Sequence, residues 1–263
     1  MSDGARFPAF DARSGTHRTT TGILGEAVRR LGRDLGLVAP FVAAGVVLSV
    51  VGRLRRVDAV PTRVSDGLGE TTVRVQFSLY PTGSETTGLP LAALVDMKLP
   101  YLLWAVGLEL LAFLAVGIAG WYTLARAFDA ERTTGRLLTY LTFVAAVQAT
   151  FRLLGAVDGL GLVTLVALVG LFAAFVRLFV APALVVAGAD VRTAVRRSSR
   201  LTAGEGVTVF GLVLAVGLSA WIIGSTPVVG TFVSSAVVAP VHAVSIAVFL
   251  DSFESVERSP RPR

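Results

Sequence analysis

The sequence predicts an all-α polytopic membrane protein: about six transmembrane helices, basic amphipathic helices at the interface, and a small outer β-hairpin in the first loop. Three observations carry this prediction. Of 263 residues, 54% belong to the hydrophobic set and 16% are charged, against roughly a quarter charged in a soluble domain. The mean hydropathy is +0.72, and the apolar residues gather into tracts near the ~20 residues that a helix needs to cross a bilayer. Arginine collects between those tracts, mainly on alternate sides.

Residues 1–20 carry Gly, Ser, Thr, Asp, Arg and His without periodicity and read as a flexible cytoplasmic tail. The region 21–250 reads as one integral membrane domain, and 251–263 as a second short cytoplasmic tail. Met1 to Arg33 has no short apolar core with a small-residue cleavage site, so the first hydrophobic segment is expected to stay as an anchor. From Ile23 to Leu35, Ile23, Leu24, Ala27, Val28, Leu31 and Leu35 fall largely on one face, with Arg29, Arg30 and Arg33 mostly off it. That is a basic amphipathic helix at the membrane surface.

The first span, Leu35 to Gly52, is the shortest. Leu99 to Tyr122, Leu137 to Val157, Gly159 to Ala189, Val207 to Gly224 and Val228 to Leu250 follow. Between the first two lies the outer loop 53–98. Within it, Val73, Val75, Phe77 and Leu79 alternate with polar residues as a half-buried strand does. Ala59 to Val64 can pair with that strand, and Leu89 to Val95 suits a short helix.

Counting basic residues with the N-terminus inside places 16 on the cytoplasmic side and six outside, which favours both termini cytoplasmic. The run Arg53-Leu54-Arg55-Arg56 disagrees, because it follows the first span on the side that should be poor in charge. Without that span the count falls to five. Only Lys98 is lysine among the 24 basic residues, which reads as GC-rich coding. Ala27-Val28-Arg29-Arg30 and Ala194-Val195-Arg196-Arg197 each precede a hydrophobic helix, the outline of a parallel internal repeat.

Polar residues within spans are costly and face protein or water. They are Glu109 near mid-membrane on the second span, Gln148 and Arg152 on the third, Arg177 on the fourth and His242 on the last. Glu109 and Arg177 suit an ion pair, either as a structural tie or as part of a substrate or proton path; Arg152 can snorkel outward. Gly211, Ala215 and Ser219, and Thr231, Ser235, Ala239 and Ala243, read as facing ridges of small side chains in the final hairpin. Pro182 and Pro240 are expected to kink their helices. Arg192, Arg196, Arg197 and Arg200, like Arg29, Arg30 and Arg33, suit contact with anionic lipid head groups.

Several classes fall away. With no cysteine there is no disulfide, thiolate nucleophile or cysteine metal site. Nucleic acid is a poor partner for basic patches that are short, pinned to the bilayer and lacking stacking aromatics. Gly224-Ser225-Thr226 lacks the surroundings of a nucleophile elbow, and no His/Glu metal motif occurs. No cofactor is expected.

The passage Arg177-Leu-Phe-Val-Ala-Pro182-Ala-Leu-Val-Val, then Asp190, Ala194-Val195, Ser199 and a glycine before the next span, resembles a broad group of uncharacterised prokaryotic six-helix membrane proteins. That group is similar to the membrane domain attached to some glycerophosphodiester phosphodiesterases. This chain carries no attached barrel or acidic metal ligands, so the resemblance brings no catalysis with it. The leading expectation is a non-enzymatic cell-membrane module, scaffold or partner subunit, in contact with lipids and a membrane-protein partner. The alternative is a small-solute transporter or permease component using Glu109 and Arg177, and a membrane enzyme comes third.

Overall fold

A computed structural model describes residues 19–58, 63–64, 80, 87–88, 97–155, 162–226 and 229–257. The described chain is helical apart from two two-residue strands, and five of its segments are long and apolar enough to cross a membrane: Leu35–Val57, Leu99–Ala127, Val169–Val186, Gly206–Gly224 and Gly230–Phe253. The third expected span corresponds to helix α4 (Thr134–Gly155), which has the length but is not among those five.

Helix α1 (Thr20–Arg33) begins where the Thr19 side chain accepts the Gly22 amide at 3.2 Å, satisfying an N–H that a helix start leaves orphaned. The expected basic amphipathic helix forms, and its apolar face does not stand free. Instead Ile23, Ala27 and Leu31 are buried against the chain's own last helix, α10 (Ala239–Glu257). Arg30 fixes that contact through Asp251 at 2.6 Å. This narrow apolar stripe is covered mainly by α10, leaving Val28 and Leu35 exposed beside it.

Asp34 ends α1, and a single 3-10 turn, Leu35–Leu37, leads into α2 (Ala39–Val57). This helix outlasts the expected first span, because Arg53, Arg55 and Arg56 belong to its final turns. Antiparallel to it runs α3 (Leu99–Ala127), the longest helix described, tied near its end by the Thr123 hydroxyl donating to the Leu37 carbonyl at 3.0 Å. Between α2 and α3, β1 (Arg63–Val64) pairs antiparallel with β2 (Thr87–Gly88). The expected strand Val73 to Leu79 and the expected helix Leu89 to Val95 lie outside the described residues.

The long fourth hydrophobic segment is two helices, α5 (Leu162–Leu178) and α6 (Ala181–Val186), broken at Phe179 and Val180. Pro182 does not kink a continuous helix; it sits in the first turn of a new one, where its missing N–H costs nothing. The groups freed by the break are met by α7 (Val191–Thr202). The Ser198 hydroxyl donates to the Arg177 carbonyl at 2.6 Å and accepts the Val180 amide at 3.2 Å. Gly188, at φ +100°, closes α6, with the Ala189 amide reaching back to Leu184, a turn in which glycine avoids a Cβ penalty.

Since Ser198 is fully buried and meets both groups, Ser198→Ala should cost about 1–3 kcal/mol. Thermal unfolding in detergent checks this. The neighbouring Ser199→Ala, which leaves the backbone acceptor Ser199 O in place, should change little.

Helix α8 (Gly206–Gly224) does not use the expected ridge. Its buried stripe is Val209, Leu212, Val216, Ala220 and Gly224, while Ser219 is exposed. Gly211 turns toward Thr20 of α1, whose hydroxyl donates to the Thr208 carbonyl at 3.2 Å. Large aliphatic side chains packed toward residues 230–238 fill more space than a small-residue groove, and α1 occupies the side where Gly211 lies. The last segment is α9 (Gly230–Val233), a π turn (Ser234–Val238) and α10. Pro240, expected to kink this helix, follows a widened turn in which the Ala239 amide bonds Ser234 five residues back, a familiar accommodation of a proline in a helix. This segment is the centre of the bundle, with 83% of its apolar window buried.

The two arginine-bearing segments share one layout. Ala27, Val28, Arg29, Arg30 and Arg33 recur as Ala194, Val195, Arg196, Arg197 and Arg200 at one constant spacing, and the same spacing separates Ala39 from Gly206. Ala27 and Ala194 are both fully buried, Arg29, Arg33, Arg196 and Arg200 are all exposed, and each segment leads into a 19-residue helix.

Candidate functional site

Charge gathers at the end of the bundle where α1 docks. Asp34 accepts two hydrogen bonds from Arg126, at 2.7 and 3.0 Å, and one from the Gly36 amide at 2.9 Å. The Arg126 guanidinium holds the Asp34 carboxyl below the usual carboxylate range. Arg132 lies over the Tyr122 ring, 4.4 Å from its centre, a cation–π contact. Asp190, which caps α7, accepts the Thr193 amide at 3.0 Å, and hydrogen bonding from Thr193, its side chain first and then this amide, lowers the Asp190 carboxyl.

A carboxyl depressed in the folded state contributes stability that is complete above its unfolded value, near pH 4, and disappears as the pH falls through the folded value. Asp34→Asn should therefore be less stable than the parent at pH 7 and converge with it well below pH 4. The difference should be modest, because both partners are nearly two-fifths exposed. Unfolding midpoints across pH 3 to 8 read it.

Roughly 25 Å along α3 from Arg126, at 1.5 Å per residue, Glu109 meets a partner that the sequence reading did not choose. Its Oε1 lies 3.0 Å from Arg55 Nη2 at the end of α2. The expected partner, Arg177, is exposed and donates to the Ser199 carbonyl at 2.9 Å, lacing α5 to α7. The Glu109–Arg177 pair is thus replaced by Glu109–Arg55. The reason is adjacency: α2 and α3 pack along their lengths, and the last turns of α2 bring Arg55 to the Glu109 turn. Arg55 is 9% exposed, so one of the arginines that disturbed the charge count is turned inward and neutralised.

Between these levels lies an aromatic and polar cluster that brings α2, α3, α4 and α10 together. Tyr80, from the connection between α2 and α3, is 1% exposed and accepts the Tyr140 hydroxyl at 2.8 Å. Its ring stands 5.4 Å from Phe41 and edge-on to His242 at 5.9 Å, while Phe179 meets the other side of His242 at 5.5 Å. Gly120 makes room for it: a Cβ there would lie 2.5 Å from Tyr80 Cζ and 2.8 Å from the Tyr140 oxygen. His242 thus sits as expected in the last span, packed between rings.

Gln148 is half-buried on α4, and Arg152 lies on the same helix with its side chain outside the described set. Of the other basic candidates, Arg29 pairs with Glu26, and Arg30 with Glu26 and Asp251. Arg33, Arg192, Arg196 and Arg200 are exposed and Arg197 is partly so. Sequence reasoning missed Tyr80, Tyr140 and the capping role of Ser198. A lone aromatic before Pro81 carries no periodic signal, and a serine in a basic helix looks like part of its polar face. Among the described residues, no three His, Asp or Glu side chains come together as metal ligands. Comparison with family models, curated proteins and solved structures returns no match.

Proposed function

We propose that this chain is a multi-pass protein of the cell membrane with six spans and both termini cytoplasmic. In this reading it serves as a non-enzymatic module, a scaffold or partner subunit that engages anionic lipid head groups and a membrane-protein partner. The observation that carries the reading is the pair of similarly laid out arginine helices, α1 and α7. Each is docked by its buried face, and each presents exposed guanidinium groups at the start of a long apolar helix. Guanidinium groups held beside a bilayer suit acidic head groups, at about 1 kcal/mol each. The resemblance to membrane domains found attached to other proteins points the same way. The transporter alternative drew on Glu109 and Arg177 acting together, and each is engaged with a different helix.

Affinity capture from native membranes tests the reading. A reproducible acidic lipid or protein partner, diminished by changing Arg192, Arg196 and Arg200 to Gln, is expected; a protein that runs alone would sink it. The topology is checked separately, since the chain has no cysteine. Single cysteines beside Arg132 and Arg196 should resist a membrane-impermeant thiol reagent in intact cells, and one at position 73 should react. Labelling at position 196 from outside overturns the orientation.

A further inference from the structure

The two arginine helices share a layout but not a charge balance. Around α1, Arg29, Arg30, Arg33 and Arg126 stand with the carboxylates of Glu26, Asp34 and Asp251, and ion pairs hold all of these arginines except Arg33. Around α7, the stretch 177–208 sets Arg177, Arg192, Arg196, Arg197 and Arg200 against Asp190 and Glu205 alone. Asp190 is spent on capping α7, and Glu205 accepts the Thr208 hydroxyl at 3.1 Å. Arg177, Arg192, Arg196 and Arg200 are exposed, and none is paired with a carboxylate among the described residues.

This positive surface stands at the edge of the apolar layer. Ser198 donates to the Arg177 carbonyl at 2.6 Å and Arg177 donates to the Ser199 carbonyl at 2.9 Å, which pins the end of α5 to the turn of α7 that carries Arg196 and Arg200. That bond uses one of the five N–H donors of an arginine, and the rest of the Arg177 guanidinium belongs to an exposed side chain. Phe172 of α5 and Phe210 of α8 meet at 6.1 Å between ring centres. At 1.5 Å per residue, these rings lie about 6–8 Å inward from Arg177 and from the start of α8, so both helices enter the apolar layer at one level. From that level inward, α8 turns Val207, Phe210 and Leu214 outward.

We propose that the surface where α7 meets the ends of α5 and α8 is the acidic-lipid contact of this protein, and that α1 is not. Arg177, Arg196 and Arg200 face the phosphate of a phospholipid in the cytoplasmic leaflet, and its chains lie along Val207, Phe210 and Leu214. Guanidinium groups without carboxylate partners attract phosphate by charge-assisted hydrogen bonds, and basic surfaces between spans on the cytoplasmic side suit acidic head groups. The arginines of α1 are instead mostly consumed in closing the bundle, as Arg30 does through Asp251 and Arg126 through Asp34. This inference rests on the reading of the chain as a lipid-engaging membrane module. It narrows that reading to one surface and adds Arg177 to it.

The test uses the full chain, which has no cysteine, in phosphatidylcholine nanodiscs containing doxyl-labelled phosphatidylglycerol or doxyl-labelled phosphatidylcholine. A fluorophore on Val207→Cys reports lipid beside the α7 surface, and one on Val28→Cys reports lipid beside α1; both positions are exposed. The glycerol lipid should quench the probe at 207 at a several-fold lower fraction than the choline lipid, while the two should quench alike at 28. Each arginine is expected to be worth roughly fivefold in relative affinity, the equivalent of about 1 kcal/mol. Arg177→Gln should therefore lower the preference at 207 about fivefold, and Arg196→Gln with Arg200→Gln roughly tenfold or more, while Arg177→Lys should keep most of it. Should Arg177→Gln fold poorly, the exposed pair Arg196 and Arg200 carries the test. A preference at 207 that these variants leave unchanged would overturn the assignment, as would its displacement by millimolar inorganic phosphate at constant ionic strength. A preference at 28 and none at 207 would overturn this inference and leave the module reading with its lipid on α1. An equal preference at both positions would overturn the asymmetry, and none at either would remove the lipid contact from both readings.

Discussion

Gly120→Ala is expected to be among the most damaging single-methyl changes in this protein, costing about 3 kcal/mol, the upper end for overpacking a filled core. The new Cβ would meet the Tyr80 ring and the Tyr140 hydroxyl, both fully buried and hydrogen-bonded to each other. α3 cannot retreat, because Thr123 and Arg126 hold its next turns to the chain around Leu37 and Asp34. Tyr80 is the side chain that must leave, and Tyr80→Ala should by itself cost about 3–5 kcal/mol, as large aromatic truncations do. The two changes share one volume, so the double variant should lose much less than the sum. Denaturant or thermal unfolding in detergent measures this; additive losses would show that Tyr80 and Gly120 do not share the space.

Removing one partner of Arg55–Glu109 should be nearly as costly. A buried pair broken from one side leaves an uncompensated charge, at about 3–5 kcal/mol. The lower figure is appropriate here, because the Glu109 side chain is 23% exposed. Arg55→Gln and Glu109→Gln should each destabilise by about 3 kcal/mol, and the double variant should cost clearly less than their sum. Glu109→Gln combined with Arg177→Gln should instead be additive, since Arg177 binds the α7 backbone. Coupling between 109 and 177 in that cycle would restore the pairing first expected from sequence.

Much of the fold was legible because it obeys periods and lengths. Apolar tracts gave the long helices, and the amphipathic stretches became α1 and α7 with Ile23, Ala27, Leu31 and Ala194 on their buried faces. What sequence could not supply is which helix adjoins which. Glu109 was assigned to Arg177 by depth alone, whereas contact between neighbours chose Arg55. The ridge at Gly211 was read from spacing, but a stripe of small residues does not say which neighbour it faces. The two prolines were legible as disturbances and not as their outcomes. Pro182 became a helix start, an outcome that depends on a partner, Ser198, and Pro240 followed a π turn within its own segment. Tyr80 lay beyond any local rule, since its contacts come from Phe41, Gly120, Tyr140 and His242, scattered over four helices.

The helix at the centre of the bundle has a consequence for how the protein is made. The segment from Gly230 onward is the most enclosed of the five apolar helices, yet it leaves the ribosome after all the others described. Until it arrives, the earlier spans surround a groove with no core: α1 lacks Asp251 for Arg30, and the Tyr80–Tyr140 pair lacks the His242 wall. Insertion of the earlier spans and closure of the bundle are therefore separate events in time. A ribosome paused before Gly230 would hold a half-built protein with its interior open to lipid. That nascent state is the one a membrane chaperone or quality-control protease would meet, and its lifetime depends on how fast the segment from Gly230 onward is translated.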